Sequence, residues 1–136
     1  MELKGKKIVL VGGAGLIGSQ TVDLLVKEDV KEIIIYDNFV RGSVENLQSS
    51  LKDPRVKVYD VGGDIMQTDI LQSAFEGADG VFHFAALWLL QCHDYPRSAF
   101  DVNIRGTFNV MEACVAKGVK RLVYSSSASV YGDAIH

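Results

Sequence analysis

The run Gly12-Gly13-Ala14-Gly15-Leu16-Ile17-Gly18 carries the most specific chemistry in the chain. It reads as G-x-G-x-x-G from Gly13 and as G-x-x-G-x-x-G from Gly12. Glycines at this spacing make a tight turn and let bare backbone approach a pyrophosphate. A helix opening just after them offers unpaired N–H groups and a partial positive charge of about half a unit. About 20 residues beyond the last glycine, Ile35-Tyr36-Asp37-Asn38 supplies a carboxylate where one can accept both ribose hydroxyls of an adenosine. Asp37 would repel a 2′-phosphate, so the expected cofactor is NAD and not NADP, with Arg41 standing nearby as a cation able to pair a phosphate. The two cysteines, Cys92 and Cys114, lack C-x-x-C spacing, and no metal or redox pair is expected. In Cys92-His93-Asp94 the thiol and imidazole are chain neighbours, which seldom meet usefully, so the segment reads as a loop. Cys114, near Met111 and Val115 at helical spacing, reads as a small core residue.

The turn needs a strand before it and a helix after it, and the pattern provides both. β-branched runs at 8–11, 32–36, 56–59, 80–84 and 121–125 read as strands. Several are continuously apolar, as in a parallel sheet covered on both faces. Helical patterns fall at 16–28, 43–51, 67–76 and 97–117, alternating with the strands as βαβ units do. In the last of these Phe100, Ile104, Phe108, Met111 and Val115 recur at helical spacing, and Gly118 is a natural stop. The fifth strand would be an edge, which natural proteins usually protect.

Composition agrees with one domain. The 136 residues are 48% apolar and 23% charged, too hydrophobic for disorder and too charged for a membrane bundle. The apolar stretch 81–90 is interrupted by His83 and falls far short of the roughly 20 residues that span a bilayer. The N-terminus does not read as a signal peptide. A net charge of −3 leaves no electrostatic footprint for nucleic acid. The expectation is a soluble cytoplasmic α/β protein without nucleic-acid or membrane partners.

With these residues placed, the chain resembles the extended short-chain dehydrogenase/reductase family, in its NAD-dependent sugar-nucleotide epimerase/dehydratase branch. The motifs that carry the resemblance occur in order: the glycine turn, Asp37-Asn38, Gly63-Asp64-Ile65, His83-Phe84-Ala85-Ala86, Asn103-x-x-Gly106-Thr107 and Ser125-Ser126-Ser127-Ala128-Ser129-Val130-Tyr131-Gly132. The resemblance implies a Rossmann-type doubly wound parallel sheet, of which residues 1–136 supply the first five strands as an incomplete NAD-binding domain. By the same resemblance Leu16 and Ile17 lie along the pyrophosphate, with Gly12, Gly15 and Gly18 making the turn. Asp37 and Asn38 hold the adenosine ribose, and Asp64 and Ile65 bracket the adenine. Phe84, Ala85 and Ala86 pass under the nicotinamide-side ribose. Asn103 is similar to a buried asparagine that braces the active-site strand and joins the cofactor-binding set, while His83 is structural. The helix at 97–117 resembles one of two through which members form homodimers by a four-helix bundle.

Ser127 matches the family's active-site serine or threonine, which hydrogen-bonds the reacting sugar oxygen while the tyrosine of a Tyr-x-x-x-Lys pair takes its proton. Dehydratases typically follow that residue with Asp-Glu, and decarboxylases keep the glutamate. Here Ala128 and Ser129 stand there, which implies a 4-epimerase acting on a nucleotide sugar such as a UDP-sugar. Another NAD-linked dehydrogenase or reductase, a 4,6-dehydratase, or a non-catalytic dinucleotide-binding module are the alternatives. Val11 replaces a usual threonine, and Trp88-Leu89-Leu90 replaces a usual polar loop. No Tyr-x-x-x-Lys occurs in the 136 residues. The expectation is therefore the N-terminal portion of a longer polypeptide, with the substrate domain elsewhere and no turnover by this portion alone.

Overall fold

The computed structural model describes residues 2–132. The strands are β1 (Lys7–Val11), β2 (Glu32–Tyr36), β3 (Val56–Val58), β4 (Gly80–His83) and β5 (Arg121–Tyr124). All pair in parallel, in the order β3-β2-β1-β4-β5. The helices are α1 (Leu16–Leu25), α2 (Thr68–Ala74), α3 (Leu89–Asp94), α4 (Pro96–Ala99) and α5 (Thr107–Ala116). Successive strand residues point to opposite faces, and each face has its own core. Ile8, Leu10, Ile33 and Ile35 pack with Val22, Leu25 and Leu47 on the α1 side. Val9, Val11, Ile34, Tyr36 and Val81 pack with Leu71, Phe75, Val110 and Ala113 on the side of α2 and α5. Two covered faces are why β1 and β2 admit almost no polar residue. This is the expected Rossmann-type doubly wound sheet.

Arg55 fixes the end of α1. Its guanidinium donates to the carbonyls of Val26, Glu28 and Val30, closing the helix and leading the chain into β2. Ser50 hydrogen-bonds the Asp23 carboxylate and ties the segment after β2 to the same helix.

Several elements differ from the sequence expectation. The expected helix at 43–51 is two 3-10 turns, Val44–Leu47 and Ser50–Lys52, closed by bonds such as Gln48 N–H to Glu45 O and Asp53 N–H to Ser50 O. Ser49 and Ser50 at its middle favour such local turns over a continuing helix. Cys92-His93-Asp94 is not loop but belongs to α3, and Trp88 O accepts the Cys92 N–H. The long helix is continuous but irregular: between α4 and α5 lies a π-helical segment, Phe100–Gly106. Its stripe of Phe100, Ile104, Phe108, Met111 and Val115 faces outward, while Val110, Ala113 and Cys114 face the core. Cys114 is the expected core residue, and burial pushes its thiol up to about 11. Gly118 ends the helix at φ +66°. Among the described residues β5 is a sheet edge, and Val123 and Tyr124 on it are exposed. No helix among them is long and apolar enough to cross a membrane.

Candidate functional site

In an open parallel sheet, ligands bind beyond the carboxyl ends of the strands where the strand order reverses, here between β1 and β4. A cavity of about 590 Å³ opens there, within the usual range of ligand sites. Gly12, Gly15, Leu16, Ile17 and Gly18 line it from the turn after β1, and Asp37 and Asn38 from the end of β2. Gly63, Asp64 and Ile65 line it from the loop after β3, and Phe84, Ala85, Ala86 and Leu87 from beyond β4.

The glycines divide by task. Gly12 sits at φ +80°, donates its N–H to Tyr36 O at 2.8 Å, and packs so closely on the β4 end that a Cβ would lie 2.6 Å from Ala85 N. Gly18 lets α1 rest directly on the backbone of Gly12 and Gly13. At Gly15, by contrast, a Cβ would meet nothing nearer than Gly12 O at 3.5 Å, so the turn is open on that side. No side chain caps α1 at Gly15, and its first-turn N–H groups have no partner within the helix. Leu16 and Ile17 are 79% and 61% exposed at this same edge. A turn packed tightly at Gly12, Gly13 and Gly18 and open at Gly15, with exposed apolar residues beside uncapped N–H groups, fits an anionic, partly apolar group such as a dinucleotide.

Asp37 organises the β2 side of the cavity. One carboxylate oxygen accepts the Ala14 N–H at 2.8 Å and the other the Phe39 N–H, also at 2.8 Å. The second bond holds Phe39 at φ +57°, a conformation non-glycine residues seldom adopt. Asn46 donates to Ala14 O at 2.9 Å and pins the same turn from the first 3-10 segment. Asp64 accepts the Met66 N–H through its carboxylate, and its carbonyl accepts the Tyr36 hydroxyl at 2.8 Å. Burial, with Asp64 and Tyr59 adding smaller effects, pushes Tyr36 up to about 12, so its hydroxyl remains a donor.

Two expected site residues lie elsewhere. Asn103 does not line the cavity itself. Within the π-helical segment it holds the chain beyond β4, accepting the Leu87 N–H at 2.7 Å and donating to Leu87 O at 3.0 Å and Cys92 Sγ at 3.3 Å. The wide turn carries its side chain toward the start of α3. Ser127 is exposed beyond β5 and caps a 3-10 turn, Ala128–Tyr131, its Oγ accepting the Ser129 N–H at 3.1 Å. Ser125, two residues earlier, lines the cavity. Asn46, Leu87 and Ser98 were not singled out from the sequence, because Asn46 and Leu87 reach the cavity through irregular backbone and Ser98 through a helix of four residues, whereas Ser125 belonged to the serine motif. Arg41 also lines it and was visible as a cation near Asp37.

The parallel sheet, the glycine turn and a cavity at the strand reversal define a Rossmann-type domain with a nucleotide-cofactor cleft. The sequence profile of the 3-beta hydroxysteroid dehydrogenase/isomerase family matches residues 9–136, and the chain belongs to that family. It is 35% identical over 129 residues to the UDP-glucose 4-epimerase of Lacticaseibacillus casei, a match covering 93% of this chain and 37% of the epimerase. It is 32% identical over 126 residues to human 3 beta-hydroxysteroid dehydrogenase type 7, covering 91% of this chain and 33% of that protein. The structure of a dTDP-glucose 4,6-dehydratase from Streptomyces venezuelae with NAD bound superposes with a TM-score of 0.89 at 30% identity, over 96% of this chain and 42% of the dehydratase. The chain thus spans about two fifths of the length of relatives such as these. The resemblance read from the motifs, to NAD-dependent epimerases and dehydratases, holds.

Proposed function

We propose that the chain is the cofactor-binding part of an NAD-dependent sugar-nucleotide 4-epimerase, with a UDP-sugar as substrate. The observation that carries the choice of reaction is Ala128-Ser129 directly after Ser127: those two positions offer no carboxylate to serve as the acid or base for eliminating water. The epimerase among the relatives supports the reading. Bound NAD would supply the acceptor and donor of hydride, and every other task falls to side chains. Gly12, Gly15, Leu16, Ile17 and Gly18 would hold the pyrophosphate, and Asp37 and Asn38 the adenosine ribose. Asp64 and Ile65 would flank the adenine, and Phe84, Ala85 and Ala86 the other ribose. Ser127 would hydrogen-bond the reacting oxygen. Residues 1–136 form the NAD-binding unit in this proposal, and a Tyr-x-x-x-Lys pair and substrate domain belong to the same polypeptide. That protein is a cytoplasmic homodimer, with the exposed stripe of Phe100, Ile104, Phe108, Met111 and Val115 at its interface.

The test is to supply the whole polypeptide with NAD and a panel of UDP-hexoses. Inversion at C4 without net NADH supports the epimerase. Accumulating NADH would favour the second reading, a dehydrogenase, which the family match and the steroid dehydrogenase relative support. Ser127→Ala should lower kcat about a hundredfold, the cost of losing one donor to the reacting oxygen, while leaving the NAD Kd unchanged. Undiminished turnover would remove Ser127 from the chemistry. Asp37→Ala should weaken NAD binding about ten- to a hundredfold, as for hydrogen bonds to a charged group. Calorimetric titration would show it, and an unchanged Kd would refute the ribose assignment.

A further inference from the structure

The Arg41 guanidinium lies over the ring of Trp88, 5.2 Å from its centroid. The two residues come from opposite sides of the cleft: Arg41 follows β2, Trp88 follows β4, and β1 with its glycine turn lies between. Among the described residues no carboxylate lies within 4.0 Å of this guanidinium. Yet Arg41 is only four residues beyond Asp37, on the loop that carries the ribose-side carboxylate, and it is the sole cation among the described residues lining the cavity. An arginine so placed is suited to pair a 2′-phosphate in a bidentate way.

We propose that Trp88 is a specificity-determining residue of the dinucleotide site, which acts by stacking Arg41 on the β4 side and withholding its charge from the ribose edge. A 2′-phosphate then meets the Asp37 carboxylate with no cation to offset it, and a cofactor with a free 2′-hydroxyl is favoured. Trp88 is a positioning residue in this scheme, touching Arg41 and not the cofactor. The inference rests on the proposed NAD site and deepens it.

The test measures Kd for NADH and NADPH by calorimetry. Trp88 is 46% exposed, so truncating it leaves both cores intact. In Trp88→Ala the NADPH-to-NADH ratio of Kd should fall about two- to fivefold, the worth of an exposed cation–π contact. Trp88→Phe, which keeps a ring under the guanidinium, should stay nearer the unaltered protein. Arg41→Ala should leave the ratio as it is, and Trp88→Ala combined with Arg41→Ala should lose the narrowing. An unchanged ratio in Trp88→Ala, a narrowing that survives in the double variant, or weaker NADPH binding in Arg41→Ala would each overturn the proposal. If the unaltered protein binds neither dinucleotide, the NAD reading itself fails, a result distinct from binding without a change in ratio.

Discussion

Replacing Gly12 by valine is expected to cost the fold about 4 kcal/mol, through overpacking of about 1–3 and a left-handed backbone of about 1–2. The backbone there lies at φ +80°, and the new Cβ would come 2.6 Å from Ala85 N and 2.9 Å from Ala85 Cα. Neither atom can yield, because the Ala85 N–H is bonded to Val11 O and β4 is paired on both sides, with β1 and β5. Denaturant unfolding would register the loss, and an unaffected midpoint would show that the turn has slack. Gly15→Ala is the contrast. Gly15 has an ordinary φ of −73° and an open side, so the fold should keep its stability while NAD binding weakens. Adjacent glycines of one motif would thus separate a folding role from a binding role.

Acid should weaken the fold through His83. The imidazole is 1% exposed at the end of β4, with Nε2 at 2.9 Å from Thr107 Oγ1 and Nδ1 buried without a partner. Burial pushes its pKa down from 6.5 to about 4. The folded protein holds the ring neutral where the unfolded chain binds a proton, so stability must fall as pH drops from about 6.5 toward 4. Taken over that window the loss is about 3 kcal/mol. The paired carboxylates Glu32, Asp53 and Asp79 have pKa values lowered by their partners and lose their contribution at still lower pH. Unfolding free energies of the protein and of His83→Gln, compared at neutrality and near pH 4.5, separate the two effects. The variant should show the flatter dependence, and equal slopes would mean that the ring is charged in the fold.

Much of this was legible in the residues because strands buried on both faces leave little freedom of composition. Ile8-Val9-Leu10-Val11 and Ile33-Ile34-Ile35-Tyr36 have no other reading, and β3, β4 and β5 end within a residue of expectation. The glycine turn and Asp37 were legible because their spacing is set by a strand, a turn and a helix of fixed size. The outward stripe of the long helix misleads, because that helix is apolar on two sides. Periodicity finds Phe100, Ile104 and Phe108 as readily as Val110 and Ala113, and only packing against Ile65 and Leu71 decides between them. Asn103 was found as a bracing polar residue, but its partner, the backbone of Leu87 beyond β4, was not legible, since a wide turn in a helix leaves no mark in residue spacing. Cys92-His93-Asp94 looked like loop because a six-residue helix is too short to show a period.

The π-helical segment Phe100–Gly106 makes this helix serve two masters. Ser98 and Val102 line the cavity, and Val110, Ala113 and Cys114 belong to the core. In an unbroken α-helix Ser98 and Val110 would point about 120° apart, but one residue absorbed in a wide turn removes about 100° of that difference. The segment therefore works as a phase adjuster, bringing two functions onto one side of a single rod. Changes of length here have opposite outcomes as a result: deleting a single codon from 100–106 would leave a regular helix with both faces still aligned, whereas winding all the present residues as a regular helix would rotate the cavity wall about 100° from the core it is built on.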